Sequence, residues 1–314
     1  MSATGENRTD ADVSVVIVSY NTRSLLEDAL RSLQEETPSL RLETIVVDNA
    51  STDGSVEAIR RSFPHVRLIV NRGNVGFAAA SNQGIQVSTG AFVLLLNPDT
   101  LVRERAIERL VHYLEAHPEV GACGPQLCFA DGTYQRSAYP WPSIAGALCE
   151  YSTLCVRFPA LAPAWRDRPE VTRPVGYCSG ACLLVRRRCI EAVGLLDETT
   201  HMYGEDVDWC TRMWRCGWPV HYVSEASVVH CLGAATGDVV ARRVGELRGK
   251  LYYVSRWHSR PYVMAYRATV ALCSLYRYAR WRLIPLDAGE PGVGRAGYLA
   301  MYRQLIRLSL GRAP

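Results

Sequence analysis

A strand-then-helix alternation, repeated four times before His117, restricts the fold of this chain more than any other feature. The apolar run from Val13 to Ser19 is followed by Leu25, Leu26, Ala29, Leu30 and Leu33 at helical spacing. Thr44 to Asp48 then precedes a helical stretch over Ser55–Ser62, Arg67–Val70 precedes Phe77–Val87, and Ala91 to Leu96 precedes Arg103 to Ala116. Strands that read as unbroken apolar runs are covered by helices on both faces, which predicts a parallel sheet in an α/β fold. Ligands of such sheets gather at the carboxyl ends of the strands. Function is therefore expected in the loops after Ser19, Val47, Val70 and Leu96.

Those loops are polar throughout: Tyr20-Asn21-Thr22, Asp48 to Ser55, Asn71 to Gly76, and Asn97-Pro98-Asp99. Turn and helix-cap chemistry explains any one of them. Polar side chains at all four strand ends point instead to a nucleotide crevice. Two common phosphate-binding devices are missing. No GxGxxG follows the first strand, where Ser19-Tyr20-Asn21-Thr22 stands, and no GxxxxGK[ST] occurs, Lys250 being the only lysine. The charge of a nucleoside diphosphate would have to be met by a metal ion or by arginine.

At 314 residues, with 48% hydrophobic and 21% charged residues, the chain is neither a disordered polyelectrolyte nor a disulfide miniprotein. Its net charge of +4 hides an asymmetry: 21 Lys and Arg face 28 Asp and Glu up to Val240, and 14 face 3 beyond it. A basic tail of this kind meets phosphate on a lipid surface or a nucleic acid. No helix-turn-helix, zinc-finger or RNA-binding signature accompanies it, so no nucleic-acid partner is expected. The 11 cysteines include no CxxC pair and read as reduced, mostly buried thiols. Met1 to Asp12 lacks the apolar core of a leader, and no uncharged apolar run approaches the ~20 residues of a membrane span. A cytoplasmic location is expected, with any membrane attachment peripheral.

Past Pro118, Val120 to Pro125 reads as a strand leaving the parallel series, and Ser137 to Pro174, rich in Pro, Trp and Tyr, as a loop-rich wall on the acceptor side. The segment from His201 to Trp209 carries Glu205, Asp206 and Asp208 and opens a helix expected over Asp206–Cys216. Acidic groups in a first turn ordinarily complement the helix dipole. The same positive end would keep one carboxylate ionised near neutral pH, ready to accept a proton from an alcohol. Val228 to His230 is a short strand ending in histidine, a metal ligand only if Asp99 lies beside it.

Taken together, Val15 to Tyr20, Val47 to Ser55, Asn74 to Ala78 with Asn82 and Gly84, Leu96 to Asp99, Gly180, and Glu205 to Asp208 with His230 resemble the family 2 glycosyltransferases, most closely their rhamnosyltransferase-like branch. The resemblance runs from Val13 to Thr236. It implies a glycosyltransferase A fold, a Rossmann-like, mostly parallel sheet flanked by helices, over residues 13–237. A disordered tail over residues 1–12 would precede it and a basic, aromatic-rich helical region over residues 238–314 would follow. It also implies an inverting transferase that uses a nucleotide-sugar donor and a divalent cation, manganese or magnesium. The acceptor would be a hydroxyl of a saccharide or lipid-linked glycan in cell-envelope polysaccharide synthesis.

Carried over by position, Ser19, Tyr20 and Asp48 would line the base and ribose pocket, with Asn49 and Asp53 along its edge. Asn74, Asn82 and Asn97 would border the donor sugar, and Asp99 and His230 would hold the metal. Asp206 would be the catalytic base, with Glu205 and Asp208 on the acceptor side. The sequence departs from the family's two-Asp pattern, because Asn97 stands at the first acidic position and removes one negative charge. Likeness to the branch favours deoxythymidine-diphosphate rhamnose as donor over a uridine-diphosphate hexose. A non-catalytic sugar-binding relative is the remaining alternative, opposed by the intact Asp99, Asp206 and His230. For the tail, Arg277, Arg280 and Arg282 form no clean polar face on a helical wheel. Two readings stay open: helices packed on the catalytic domain, or docking on an anionic membrane at the inner face of the plasma membrane.

Overall fold

The computed structural model describes residues 11–152, 168–231, 238–283 and 294–311. Twelve strands are formed among them: β1 Val13–Ser19, β2 Leu42–Asp48, β3 Arg67–Val70, β4 Phe92–Leu96, β5 Thr100–Val102, β6 Ala122–Cys128, β7 Tyr134–Gln135, β8 Ala138–Tyr139, β9 Arg173–Pro174, β10 Tyr177–Cys178, β11 Cys182–Arg186 and β12 Val220–His230. The central sheet has the order β3-β2-β1-β4-β11-β6-β12-β5, with the parallel series β3 to β4 at one side. Antiparallel β11 sits between β4 and β6, and β6 pairs in parallel with β12. The strand expected to leave the parallel series thus stays in the same sheet, one place removed from β4.

Continuous apolar strands are explained by the two cores they feed. Val13, Val15 and Ile17 of β1 and Leu94 and Leu96 of β4 face one core with Leu26, Leu30, Ile59 and Leu110 of the covering helices. Val16, Val93 and Leu95 face the other, with Ala78, Ile85, Val207, Met213 and Val254. A side-chain period of two sends neighbours to opposite faces, and both faces are roofed.

Helices form over Arg23–Glu36, Ser55–Ser62, Phe77–Val87, Ala106–Ala116 and Glu205–Arg215, close to the spans read from periodicity, and also over Arg187–Val193 and over Ile144–Tyr151, which lies inside the stretch expected to be loop-rich. Three more, Val239–Trp257, Arg260–Leu283 and Arg295–Ser309, make up the C-terminal region. They pack on the catalytic body: Val244, Leu247, Val254, Tyr266 and Val270 share a core with the sheet. Of the two readings of the tail, packing is therefore met, and it leaves one helix face outward.

Ala11 and Asp12, which fall in the tail expected to be disordered, are held in the fold: Ala11 is buried and Asp12 N donates to Arg41 O at 2.9 Å. The boundary expected at residue 237 lies outside the described residues. Among the described residues nine cysteines are free thiols, seven of them buried, whereas Cys149 is disulfide-bonded, against the expectation of reduced thiols.

The helix Glu205–Arg215 is fixed to the tail by a close backbone crossing. Gly204 has φ 96°, and a Cβ added there would stand 2.7 Å from Gly249 Cα of the helix Val239–Trp257. A Cβ on Gly249 would in turn collide with the Tyr203 carbonyl. Gly249→Ala is expected to cost about 1–3 kcal/mol through overpacking, read as a lowered midpoint in urea unfolding.

Candidate active site

In-register pairing sets the polar loops side by side: Ser19 lies opposite Asp48, and Asp48 opposite Val70. Asp48 is 1% exposed; its Oδ1 accepts from Ser51 N at 2.8 Å, while its buried Oδ2 has no hydrogen-bond partner among the described residues. A buried carboxylate oxygen left unpaired is costly, so this atom suits a ligand hydroxyl. Ser19 Oγ lies 2.9 Å from Thr22 Oγ1, and Tyr20 stands exposed at the crevice rim.

Other residues expected to touch the donor are occupied in bracing the loops. Asn49 donates to Gly76 O at 3.3 Å and accepts from Asn71 at 2.9 Å, tying the loops after β2 and β3 together. Asp53 accepts from Arg23 N at 2.8 Å and Ser55 N at 3.1 Å, joining the first turns of two helices, where a negative charge is favoured. Asn74 Oδ1 accepts from Gly76 N at 3.0 Å. Asn82 corrects the expectation of a donor-sugar contact. Its buried amide donates to Leu196 O at 2.9 Å and Glu198 Oε1 at 2.8 Å and accepts from Leu196 N at 3.0 Å, which commits its amide to the segment leading toward Glu205.

The expected metal pair is assembled by β5, a strand that periodicity did not reveal. β5 pairs antiparallel with the end of β12, so that His230 lies opposite Thr100 and Cys231 N donates to Asp99 O at 2.9 Å. His230 Nε2 comes within 3.3 Å of Asp99 Oδ1, an oxygen with no hydrogen-bond partner among the described residues, and both side chains are about 95% buried. His230 Nδ1 lies 2.7 Å from Gln135 Oε1, a contact that orients the ring so that Nε2 faces Asp99. Asn97 is adjacent, its Nδ2 3.5 Å from Nε2. A carboxylate oxygen and an imidazole nitrogen aimed at one point fit a divalent cation. No group of three or more His, Cys, Asp or Glu is gathered for a metal among the described residues. Further ligands would have to come from a diphosphate and water.

The three acidic groups at the head of the helix Glu205–Arg215 part company. Asp206 is partly exposed and lines a cavity of about 380 Å³ that Asp99, Asn97 and His230 also line. Its Oδ1 accepts from Val207 N at 2.8 Å and its Oδ2 from Gly180 N at 3.4 Å. Asp208 corrects the expectation of an acceptor-side carboxylate. It is fully buried and accepts from Arg212 at 2.9 Å and Trp257 Nε1 at 3.0 Å, with Arg256 at 3.2 Å, so it clamps the helix to the C-terminal region. Glu205 is buried, its Oε2 has no hydrogen-bond partner among the described residues, and it does not line the cavity either.

Burial raises the Glu205 carboxyl above its usual range, and the adjacent Asp206 adds to this. Burial likewise raises Asp206, opposed by the amides of Val207 and Gly180. Desolvation opposes the helix end here, since the charged form loses water that a half-charge of the dipole only partly replaces. A carboxyl raised on folding stabilises the protein below its unfolded value, and that stability is lost as pH rises through the folded value. Glu205→Gln should therefore gain melting temperature relative to wild type as pH rises from 5 to 9, measured by calorimetric melts across that range.

Sequence reasoning missed the far wall of the cavity. Arg242, Arg243, Glu246 and Lys250 of the helix Val239–Trp257 reach it, as do Glu150, Gln135 and Tyr203. Lys250 pairs with Glu150, and Arg243 with Glu246 at 3.3 Å. The one signal was the placing of the sole lysine in the basic tail.

Residues 14–194 match the profile of Glycosyl transferase family 2. The chain is similar, at 32% identity over 83% of its length and 91% of the relative's, to the N-acetylglucosaminyl-diphospho-decaprenol L-rhamnosyltransferase of Mycobacterium tuberculosis. A low-salt glycan biosynthesis hexosyltransferase of Haloferax volcanii is 26% identical over 64% of this chain and 61% of its own. In fold, the chain resembles a Pyrobaculum calidifontis mannosyltransferase solved with GDP-Man and Mn2+, at TM-score 0.61 and 19% identity, over 96% of this chain and 86% of that one.

Proposed function

This chain belongs to glycosyl transferase family 2 and is a glycosyltransferase, and on that premise we propose that it moves rhamnose, with inversion, from deoxythymidine-diphosphate rhamnose to a hydroxyl of a lipid-linked saccharide. One observation supports the chemistry above the others: Asp99 and Asp206, 107 positions apart in the chain, line a single cavity. The relative's name supports the sugar and the lipid-linked class of acceptor, and we assign the product to cell-envelope polysaccharide synthesis.

In this reading Asp48 and Ser19 seat the nucleoside, and Asp99 and His230 hold a divalent cation. When bound, that cation would neutralise the diphosphate of the donor. Asp206 accepts the proton of the acceptor hydroxyl as that oxygen bonds to the anomeric carbon, whose bond to the diphosphate oxygen breaks on the opposite face. The electron pair leaves with the diphosphate. Burial raises the Asp206 carboxyl, so transfer should increase with pH as the group loses its proton. We place the enzyme at the cytoplasmic face of a membrane; no described helix is long and apolar enough to cross one.

The test is a thermal-shift screen of deoxythymidine- and uridine-diphosphate sugars with manganese or magnesium, followed by product analysis on a lipid-linked N-acetylglucosamine acceptor. Rhamnosylated product is expected. Transfer from uridine-diphosphate hexoses alone would replace the donor, and binding without any transfer would leave a sugar-binding relative.

A further inference from the structure

The helix Arg260–Leu283 is buried along one side only. Tyr266, Val270, Cys273, Ser274 and Trp281 face the protein. On the other side Met264 is 67% exposed, Leu272 66%, Leu275 53%, Tyr276 53% and Leu283 79%. At 3.6 residues per turn these five fall within an arc of about 120°, and Ala265, Ala268 and Ala279 fill the arc between them. From Met264 to Leu283 the stripe runs about 29 Å at 1.5 Å per residue. Single exposed apolar residues are ordinary on protein surfaces, whereas a contiguous stripe marks a contact surface.

Charge decides what covers it. Residues 260–283 contain five arginines and no Asp or Glu, and residues 294–311 add three arginines and again no acid. Arg260 and Arg282 are exposed at the two ends of the helix, and Arg303 and Arg307 are exposed on its neighbour. A second copy seated on the stripe through a two-fold axis would bring this acid-free region against its own image. An anionic bilayer satisfies both features, the acyl boundary taking the leucines and the headgroup phosphates the arginines.

The placing of the helix agrees. Ile144 N donates to Tyr262 Oη at 3.3 Å, and the helix Ile144–Tyr151 that begins there carries Glu150 into the wall of the active-site cavity. We propose that the outward stripe of Arg260–Leu283 is a bilayer-docking surface, lying in the plane of an anionic leaflet and holding the cavity at the membrane. This deepens the reading of a lipid-linked acceptor and rests on it for its purpose, though not for its test.

The test is flotation of the full chain with vesicles of phosphatidylglycerol and phosphatidylcholine, against phosphatidylcholine alone, for wild type and the double variant Leu272→Glu with Leu275→Glu. Wild type should float with the anionic vesicles. The double variant should bind them about tenfold or more weakly, since two charges enter the acyl boundary, while its circular dichroism and melting temperature stay unchanged. Wild type that stays in solution, or a variant that floats equally well, overturns the proposal. So does a wild-type dimer in light scattering that the double variant dissolves, which would make the occupant a second copy. A transfer assay separates this from the reaction itself. The variant should keep wild-type transfer to a water-soluble, short-chain acceptor and lose it on a vesicle-borne one. Absence of all transfer in wild type would sink the transferase reading and leave the flotation result standing.

Discussion

Asp206→Asn is expected to bind donor as wild type does and to lose sugar transfer by about 10²–10⁴-fold, the usual contribution of a general base. The variant keeps the shape of the side chain and can still accept from Val207 N, which lies 2.8 Å from Oδ1 in wild type. What it lacks is the lone pair that takes the acceptor's proton. Because burial raises the Asp206 carboxyl, the wild-type rate should fall as pH drops and the base becomes protonated. The residual rate of the variant should lack that limb. Donor affinity by calorimetry and a pH–rate profile make the measurement, and near wild-type transfer by a folded variant would remove Asp206 from the chemistry.

Asp99→Ala should act on a different quantity. Asp99 Oδ1 is buried, without a hydrogen-bond partner among the described residues and 3.3 Å from His230 Nε2, and Asn97 lies beside them. Losing Asp99 removes the one carboxylate that, among the described residues, faces His230. Even outer-shell changes at metal sites cost about 10–100-fold in affinity, so manganese-dependent donor binding should drop by about 100-fold or more. Chelation with EDTA should bring wild type down to the level of the variant and leave the variant unchanged. A variant that keeps its manganese dependence would mean that another group holds the ion.

Much of this site was legible in the residues themselves. The polar strand ends and the acidic head of the helix Glu205–Arg215 stand where periodicity put them, and the Asp48 oxygen left without a partner among the described residues suits the expected crevice. The misreadings share a cause. Asn82 and Asp208 are the right residue types in the right segments, but their side chains meet Leu196 and Glu198 in one case and Arg212 and Trp257 in the other. A polar group's partners are chosen by whichever distant backbone arrives beside it.

The tail was left between two readings for a related reason. A wheel drawn on its arginines shows no polar face, because Arg267 turns inward to Leu308 and Ser309 carbonyls and Arg277 lies over the Tyr302 ring. Only once the inward side is known does the outward apolar stripe become visible.

Unbroken apolar runs alternating with helical spacing determined, from the chain alone, a parallel sheet roofed on both sides and a polar edge at its strand ends. These follow from periodicity, which is a relation between near neighbours. The pairing of β5 with β12 that joins Asp99 to His230, the Gly204–Gly249 crossing that seats Asp206 against the C-terminal helices, and the side of Arg260–Leu283 that faces outward were decided only in three dimensions. Each depends on a contact between segments far apart in sequence, and the free energy of such a contact is set by the fit of two surfaces that no local pattern records.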